Sequence, residues 1–128
     1  MPEYMLLLYA KEATSEERRE RDAEMPAWIE FTEGLREAGL FMATGQLSPV
    51  DTATTVRVRD GETEILDGPF AVTKEYLGGY YLLNCADLDE ALKLAARVPI
   101  ARYGSVEVRP LVRLPEPFSA DGQADAVS

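Results

Sequence analysis

The chain contains the stretch Tyr4-Met5-Leu6-Leu7-Leu8-Tyr9, in which every residue is apolar or aromatic. A strand with one face in water alternates apolar and polar residues, whereas a strand covered on both faces is apolar throughout. This stretch therefore predicts a central strand of a sheet. A second, mostly apolar run from Gly79 to Cys85 predicts another strand of the same kind.

The sequence after the first strand predicts a helical segment over residues 15–39. Thr14 is followed by Glu17 at the spacing of a capping box, and Gly39 is a helix stop signal. Pro26 interrupts the segment, so we expect either a kink or a short helix followed by a second one that starts at Pro26. The charge-rich stretch before Pro26 is interpreted as a solvated face.

Strand and hairpin signals follow this helical segment. Residues 40–47 predict a second strand. Residues 55–59 alternate in polarity, Asp60-Gly61 is a hairpin turn signal, and residues 64–66 return as a short partner strand. We therefore expect a hairpin arm at the edge of the sheet.

The last part of the chain repeats the order of helix and strand. Asp87 with Glu90 caps a second helix that carries Leu88, Ala91, Leu92 and Ala95 on one face. Residues 104–113 predict the last strand. The predicted fold is α+β, with a ferredoxin-like βαββαβ order and a β-hairpin insertion. Two helices cover only one face of such a sheet. Because the apolar strands need cover on the other face as well, we expect a homodimer in which the partner's sheet supplies it.

The composition of the 128 residues predicts one soluble domain, residues 1–114, followed by an aperiodic C-terminal tail, residues 115–128. The net charge of −10 disfavours direct binding to nucleic acid or to an anionic membrane surface. Histidine is absent and Cys85 is the single cysteine, so we expect no His-dependent mechanism, no metal site, no cofactor, and a buried thiol. The chain shows neither a membrane-spanning run nor a secretory signal, which predicts a cytoplasmic protein.

The candidate functional site is the stretch Asp67-Gly68-Pro69-Phe70-Ala71-Val72-Thr73-Lys74-Glu75. Asp67 is interpreted either as the residue that shapes the turn or as a contact to a ligand or proton. Phe70 either fills the loop or a dimer interface, or stacks on a ligand. In extended backbone Thr73 and Glu75 share one side and Lys74 points to the other. Lys74 and Glu75 are either exposed or ion-paired charges, or catalytic groups together with Asp67.

The last predicted strand carries a second group of candidate residues. Val106 and Val108 point one way, while Glu107 and Arg109 point the other. One interpretation is a structural salt bridge between Glu107 and Arg109 or between subunits. The other is an anion-binding role for Arg109, with Arg102 and Tyr103 from the preceding loop.

The Asp67-Gly68-Pro69-Phe70 motif, with the following Leu77-Gly78-Gly79-Tyr80-Tyr81, resembles the motif of the DGPF branch of the YCII-related domain family. Val72 stands where the family usually has an acid, and Tyr76 where it usually has glutamine. The similarity extends from Tyr4 to Pro110. It implies a dimeric α+β barrel and an association with extracytoplasmic-function sigma factors. Some relatives carry a His-Asp pair proposed as catalytic, and this chain has no histidine to match it.

Three functional hypotheses follow from these observations. The first is a dimeric domain that binds a small anionic or oxygenated ligand, or that regulates a partner such as a sigma factor. The second is a lyase, isomerase or dehydrochlorinase, with Asp67 or Glu75 as the base and Lys74 or Arg109 stabilising an enolate. The third is a structural assembly partner without a ligand.

Overall fold

The computed structural model describes residues 1–118. Its strands and α-helices follow one another as β1 (Glu3–Ala10), α1 (Ser15–Asp22), α2 (Met25–Glu37), β2 (Phe41–Gln46), β3 (Thr54–Arg59), β4 (Glu62–Asp67), β5 (Tyr76–Asn84), α3 (Leu88–Ala95) and β6 (Ser105–Pro110). Without the β3–β4 pair this is the βαββαβ order, with the first helical segment divided into α1 and α2. The predicted α+β class with a hairpin insertion is confirmed.

Four strands form one antiparallel sheet in the order β2-β5-β1-β6. Strand β1 lies inside this sheet and pairs with β5 on one side and β6 on the other, as its apolar sequence predicted. This strand order is ferredoxin-like. Strands β2 and β6 are the edges of the sheet.

The hydrophobic core lies on one face of the sheet. Alternate residues of β1, namely Tyr4, Leu6 and Leu8, are buried there together with Tyr81 and Leu83 of β5. The helices cover this face with Phe31 and Leu35 of α2 and with Ala91, Leu94 and Ala95 of α3. Full burial of one large apolar side chain stabilises a fold by about 1.5–3 kcal/mol, so this layer holds the helices on the sheet.

The opposite face of the sheet carries Met5, Leu7, Tyr80 and Leu82, and we call it the open face. These side chains are half-buried. Leu7 pairs with Tyr80 and Met5 with Leu82, so the four residues form one continuous apolar patch. Within the described residues, the helices place their buried side chains in the core on the other face, and α1 buries none. The open face is therefore an apolar surface that no other part of residues 1–118 covers with a layer of its own.

The helix boundaries follow the capping signals. The Thr14 hydroxyl accepts the backbone N–H of Glu17 at 3.1 Å and the Glu17 carboxylate accepts the backbone N–H of Thr14 at 2.9 Å, which completes the capping box. Of the two alternatives at Pro26, the short helix followed by a second one is confirmed, because α1 ends at Asp22 and α2 begins at Met25. The charged helix α1 buries no residue, as a solvated face requires.

Three sequence-based boundaries or faces need correction. Strand β5 begins at Tyr76 rather than Gly79, because Tyr76 and Leu77 pair with the end of β1. Strand β6 ends at Pro110, three residues early, because proline cannot donate to a ladder. In α3, Leu94 faces the core, whereas Leu88 and Leu92 are exposed.

Strands β3 and β4 form a separate two-stranded sheet, which we call the arm. Asp60 and Gly61 connect them with positive φ angles of 53° and 78°, as a type I′ hairpin turn requires. The predicted hairpin is confirmed, and β4 is longer than the predicted 64–66.

The chain continues beyond the last strand, β6. Residues 111–118 lie after β6 with exposed side chains. The rest of the predicted tail, residues 119–128, lies outside the described residues. None of the helices within residues 1–118 is long and apolar enough to cross a membrane.

Two glycines provide a matched test of this packing. A Cβ on Gly104 would overlap the carbonyl oxygen of Tyr9, whereas a Cβ on Gly34, in the exposed middle of α2, would meet no atom within 4 Å. We expect Gly104→Ala to lower the free energy of unfolding by about 2–3 kcal/mol. Gly34→Ala is expected to raise it by about 0.5–1 kcal/mol, because alanine has the higher helix propensity. Urea denaturation measures both, and an unchanged stability for Gly104→Ala would contradict the described packing of β6 on β1.

Candidate functional site

The open face has a polar border along strand β6. In the register of β1 with β6, Tyr9 is opposite Ser105, Leu7 opposite Glu107, and Met5 opposite Arg109. Directly opposite residues of an antiparallel pair project to the same side of the sheet, so Ser105, Glu107 and Arg109 lie beside the apolar patch. The intervening Val106 and Val108 pack against the core, which confirms the predicted alternation.

A fourth polar residue reaches this border from a different part of the chain. Glu75, the last residue before β5, accepts a hydrogen bond from the Ser105 hydroxyl at 2.7 Å through its Oε1 atom. The bond connects the end of the candidate loop to the first residue of β6. We call Glu75, Ser105, Glu107 and Arg109 the polar row. Sequence analysis missed Ser105, although the alternation that includes Glu107 and Arg109 extends to it.

The charges at the far end of the polar row are only loosely paired. Arg109 Nε lies 3.8 Å from Glu107 Oε2, and the two side chains are 69% and 49% exposed. An ion pair of this kind contributes at most about 1 kcal/mol, because water screens it. The salt bridge predicted from sequence is therefore present, but it leaves most of the guanidinium N–H groups available to another acceptor.

The first part of the candidate loop closes the base of the arm. Gly68 has a φ of +93°, which favours glycine, and its N–H donates to the Ala53 carbonyl at 2.7 Å. The Thr55 hydroxyl donates to the Gly68 carbonyl at 2.7 Å. Gly68 thus shapes the turn through its own backbone. Asp67 is the last residue of β4 and is exposed. Its side chain makes no hydrogen bond to another side chain within residues 1–118.

The second part of the loop exposes apolar side chains. Phe70 and Val72 are 85% and 90% exposed, so neither packs into its own loop. The backbone bends at Lys74 and Glu75, which corrects the extended arrangement considered for Thr73 to Glu75. The Thr73 hydroxyl stabilises this bend by donating to the Glu75 carbonyl at 2.5 Å. The Lys74 side chain is exposed.

Arg102 and Tyr103 make their contacts elsewhere, at the junction of α1 and α2. Arg102 Nη2 donates to Glu24 Oε2 at 2.7 Å. The Arg21 guanidinium lies 4.5 Å from the centre of the Tyr103 ring. Burial raises the pKa of Tyr103, and the Glu24 carboxylate raises it further. Within residues 1–118, no hydrogen bond or ion pair joins Arg102 or Tyr103 to Arg109, so the three are not brought together as one anion site.

Two small clefts indent the surface of the described residues. One cleft of about 170 Å³ lies beside Tyr103 and is lined by Lys11, Glu17, Glu20, Arg21 and Glu24. Another, of about 150 Å³, lies between α2 and the end of α3. Pockets for small molecules usually enclose roughly 300–1,000 Å³, so neither cleft is of that size. Residues 1–118 also contain no group of three histidine, cysteine, aspartate or glutamate side chains arranged to hold a metal ion.

Comparison with known proteins gives the family. The model of the YCII-related domain matches residues 2–115, and the chain belongs to this family. An uncharacterised protein of Rhizobium meliloti (strain 1021) is 51% identical over 77 residues. These residues cover 59% of this chain and 62% of that relative, so the alignment spans less than two thirds of the relative's length. Membership of the DGPF branch stays a prediction.

The buried thiol gives a direct chemical test of the structure around the end of β5. Cys85 is fully buried, and burial raises its pKa, with further increases from Glu90 and Asp87. Both effects reduce the amount of accessible thiolate, which is the reactive form. We expect Cys85 to react with a thiol reagent about 100-fold or more slowly in the folded protein than in urea at the same pH. Equal rates in the two conditions would contradict the described burial.

Proposed function

We propose that this YCII-related protein is a homodimeric domain that binds a small oxygenated molecule between the open faces of two copies. The observation that carries this proposal is the composition of the open face. A continuous apolar patch, formed by Met5, Leu7, Tyr80 and Leu82, lies next to a polar row that contains both signs of charge. Apolar walls with a few convergent polar groups are typical of ligand sites.

The surface area of the protomer supports a dimer. Its accessible surface is 9041 Å², whereas a compact monomer of 14.2 kDa exposes about 6,800 Å². Residues beyond Phe118 account for at most roughly 1,600 Å² of the difference, even when counted as an extended chain. At least about 600 Å² remains for the described residues, part of it on the exposed segment 111–118. A standard interface takes roughly 800 Å² from each partner. We therefore expect a total buried area on the order of 2,000 Å².

The charges of the polar row limit the kind of ligand. Glu75 and Glu107 supply two carboxylates and Arg109 supplies one guanidinium, so the row is negative by one charge. This balance opposes binding of a multiply charged anion such as a phosphate ester. Arg109 is suited to a carboxylate or carbonyl oxygen, and the glutamates are suited to hydroxyl groups. We infer a neutral or singly charged molecule with several oxygens and an apolar part that contacts Tyr80 and Leu7.

The spacing of the row favours binding over catalysis. Ser105 and Arg109 are four residues apart on one strand, which places them about 13 Å apart. Glu75 sits at Ser105, so a Glu75 base and an Arg109 that stabilises an enolate would not reach the same reacting atoms within one protomer. The enzyme hypothesis stays a prediction, and a screen of lactones and quinol-like compounds tests it.

The remaining parts of the proposal depend on assembly or on family resemblance. Asp67, Phe70, Thr73 and Lys74 become ligand contacts only if the dimer brings their loop over the polar row. A regulatory contact with an extracytoplasmic-function sigma factor, and a cytoplasmic location, are proposed from the resemblance and the sequence. The division into a domain of residues 1–114 and a tail of residues 115–128 is proposed on the same basis.

A mass-spectrometric experiment tests the ligand site. Purified protein is denatured, and released small molecules are quantified per mole of protein for the wild type, Arg109→Ala and Arg59→Ala. We expect Arg109→Ala to weaken binding by about 1.5–3 kcal/mol, because a charge-assisted hydrogen bond is lost. Its free energy of unfolding should change by at most about 1 kcal/mol, since the side chain is exposed.

Arg59→Ala is the matched control, because it removes the same charge at the far end of the arm. The proposal predicts that this variant retains the molecule like the wild type. If Arg109→Ala and Arg59→Ala release equal amounts of the molecule per mole of protein, the polar row is not part of the ligand site. A wild-type protein that releases no molecule under any growth condition would favour the structural assembly hypothesis instead.

A second prediction concerns the dimer interface. Leu7→Lys places a charge in the centre of the open face, where it would be buried against the second copy. We expect the dimer dissociation constant to rise about 100-fold or more, measured by analytical ultracentrifugation. Leu92→Lys, on an exposed position of α3, is the control and should leave dimerisation unchanged. Dimers of equal strength in both variants would show that the open face is not the interface.

A further inference from the structure

The arm has an apolar face that is open to solvent in the protomer. Val56 of β3 and Ile65 of β4 are directly opposite in the hairpin register, and Val58 follows on the same side. The three side chains are 63%, 68% and 61% exposed, in the same order. We call them the apolar face of the arm. Such exposure means that the other described residues, up to Phe118, do not cover this face.

The other face of the arm is arranged for contact with water. Arg57 Nη2 lies 3.3 Å from Glu64 Oε1, and Arg59 and Glu62 lie opposite each other nearer the turn. Leu66 also lies on this side and Thr63 on the other, but the charged residues predominate on one face and the β-branched apolar residues on the other, so the hairpin is amphipathic. An isolated two-stranded hairpin is only marginally stable in water and needs a surface to pack on. The arm has the composition of an element that is covered on one side.

The position of the arm relates it to the ligand site. The chain enters the arm after β2, which ends at Gln46, and leaves it before β5, which begins at Tyr76. Both points lie at the same end of the sheet as Glu75 and Ser105, because Tyr9 pairs with both Leu77 and Ser105 there. The arm therefore starts at the Glu75 end of the polar row.

We propose that each arm packs its apolar face on the second copy of the chain and so closes the Glu75 end of the ligand site. This inference depends on the proposed homodimer. A six-residue hairpin is about 20 Å long, whereas two sheets packed face to face are about 10 Å apart. An arm that starts at the end of one sheet is thus long enough to reach the second copy.

A second copy is the favoured occupant for reasons of area and symmetry. A standard interface takes roughly 800 Å² from each partner, and the open face and the apolar face of the arm together offer partly or largely exposed apolar side chains to it. In a two-fold dimer each arm covers the partner while the partner's arm covers the first protomer, so no third component is needed. Phe70 and Val72 follow the base of the arm in the chain and are also exposed.

Thiol labelling tests this inference on the full chain. Val58→Cys places a thiol on the apolar face of the arm, and Arg59→Cys places one on the neighbouring residue of the polar face. Cys85 is fully buried and gives a low background. In samples whose light-scattering mass is that of a dimer, we expect Val58→Cys to react with a thiol reagent at least about 10-fold more slowly than Arg59→Cys. In the Leu7→Lys background, where the dimer is weakened, the two rates should become equal.

The outcomes separate this inference from the proposed function. If a dimer forms and both thiols react at the same rate, the arm does not pack on the second copy, although the dimer stands. The dimer is expected to form at about 1 µM, so a protein that is still monomeric at about 100 µM would contradict both proposals. Circular dichroism confirms folding, and Ile65→Cys replaces Val58→Cys if that variant alters the dimer.

A substitution series gives an independent readout of the same contact. Val56→Thr, Val58→Thr and Ile65→Thr together keep β-branched side chains in the arm but reduce its apolar area. We expect this triple variant to raise the dimer dissociation constant about 100-fold. The control is Arg57→Thr with Glu64→Thr on the polar face, which should leave the constant within about threefold. Equal dissociation constants in the two variants would overturn the inference.

Discussion

Strand β1 is apolar toward both faces of its sheet, and this constraint determines the rest of the structure. The helices satisfy it on one side, where Leu6 and Leu8 are buried beneath α2 and α3. On the other side Met5 and Leu7 are only half-buried, and no described helix lies over them. Removal of this surface from water is favourable by roughly 25 cal/mol per Å², so a second apolar surface is strongly favoured there. The proposed dimer, ligand site and arm contact all follow from that requirement.

Much of the fold was predictable because its signals are local. The capping box at Thr14, the turn at Asp60 and Gly61, and the apolar run of β1 each depend on residues close in sequence, and the structure contains all three. The predicted strand boundaries were wrong where contacts between residues distant in sequence determine the structure. Strand β5 starts early because Tyr76 and Leu77 pair with the end of β1, which no pattern within residues 76–84 indicates.

The candidate site was predictable only in part, for the same reason. Alternation along residues 105–110 correctly placed Glu107 and Arg109 on one face. The bond between Glu75 and Ser105 depends on how β5 and β6 both pair with β1, so sequence spacing did not reveal it. Arg102 and Tyr103 follow α3 by a few residues, yet their contacts are to Glu24 and Arg21, which are far away in sequence. Proximity in the sequence therefore grouped residues that the fold separates.

In the proposed dimer, a second copy of the chain covers the open face of the sheet. Light scattering coupled to size-exclusion chromatography measures this most directly, on the wild-type protein at micromolar concentration. The account predicts a mass twice the 14.2 kDa of one chain. A mass of one chain at that concentration would contradict it, because the apolar patch would then be stable in water without a partner.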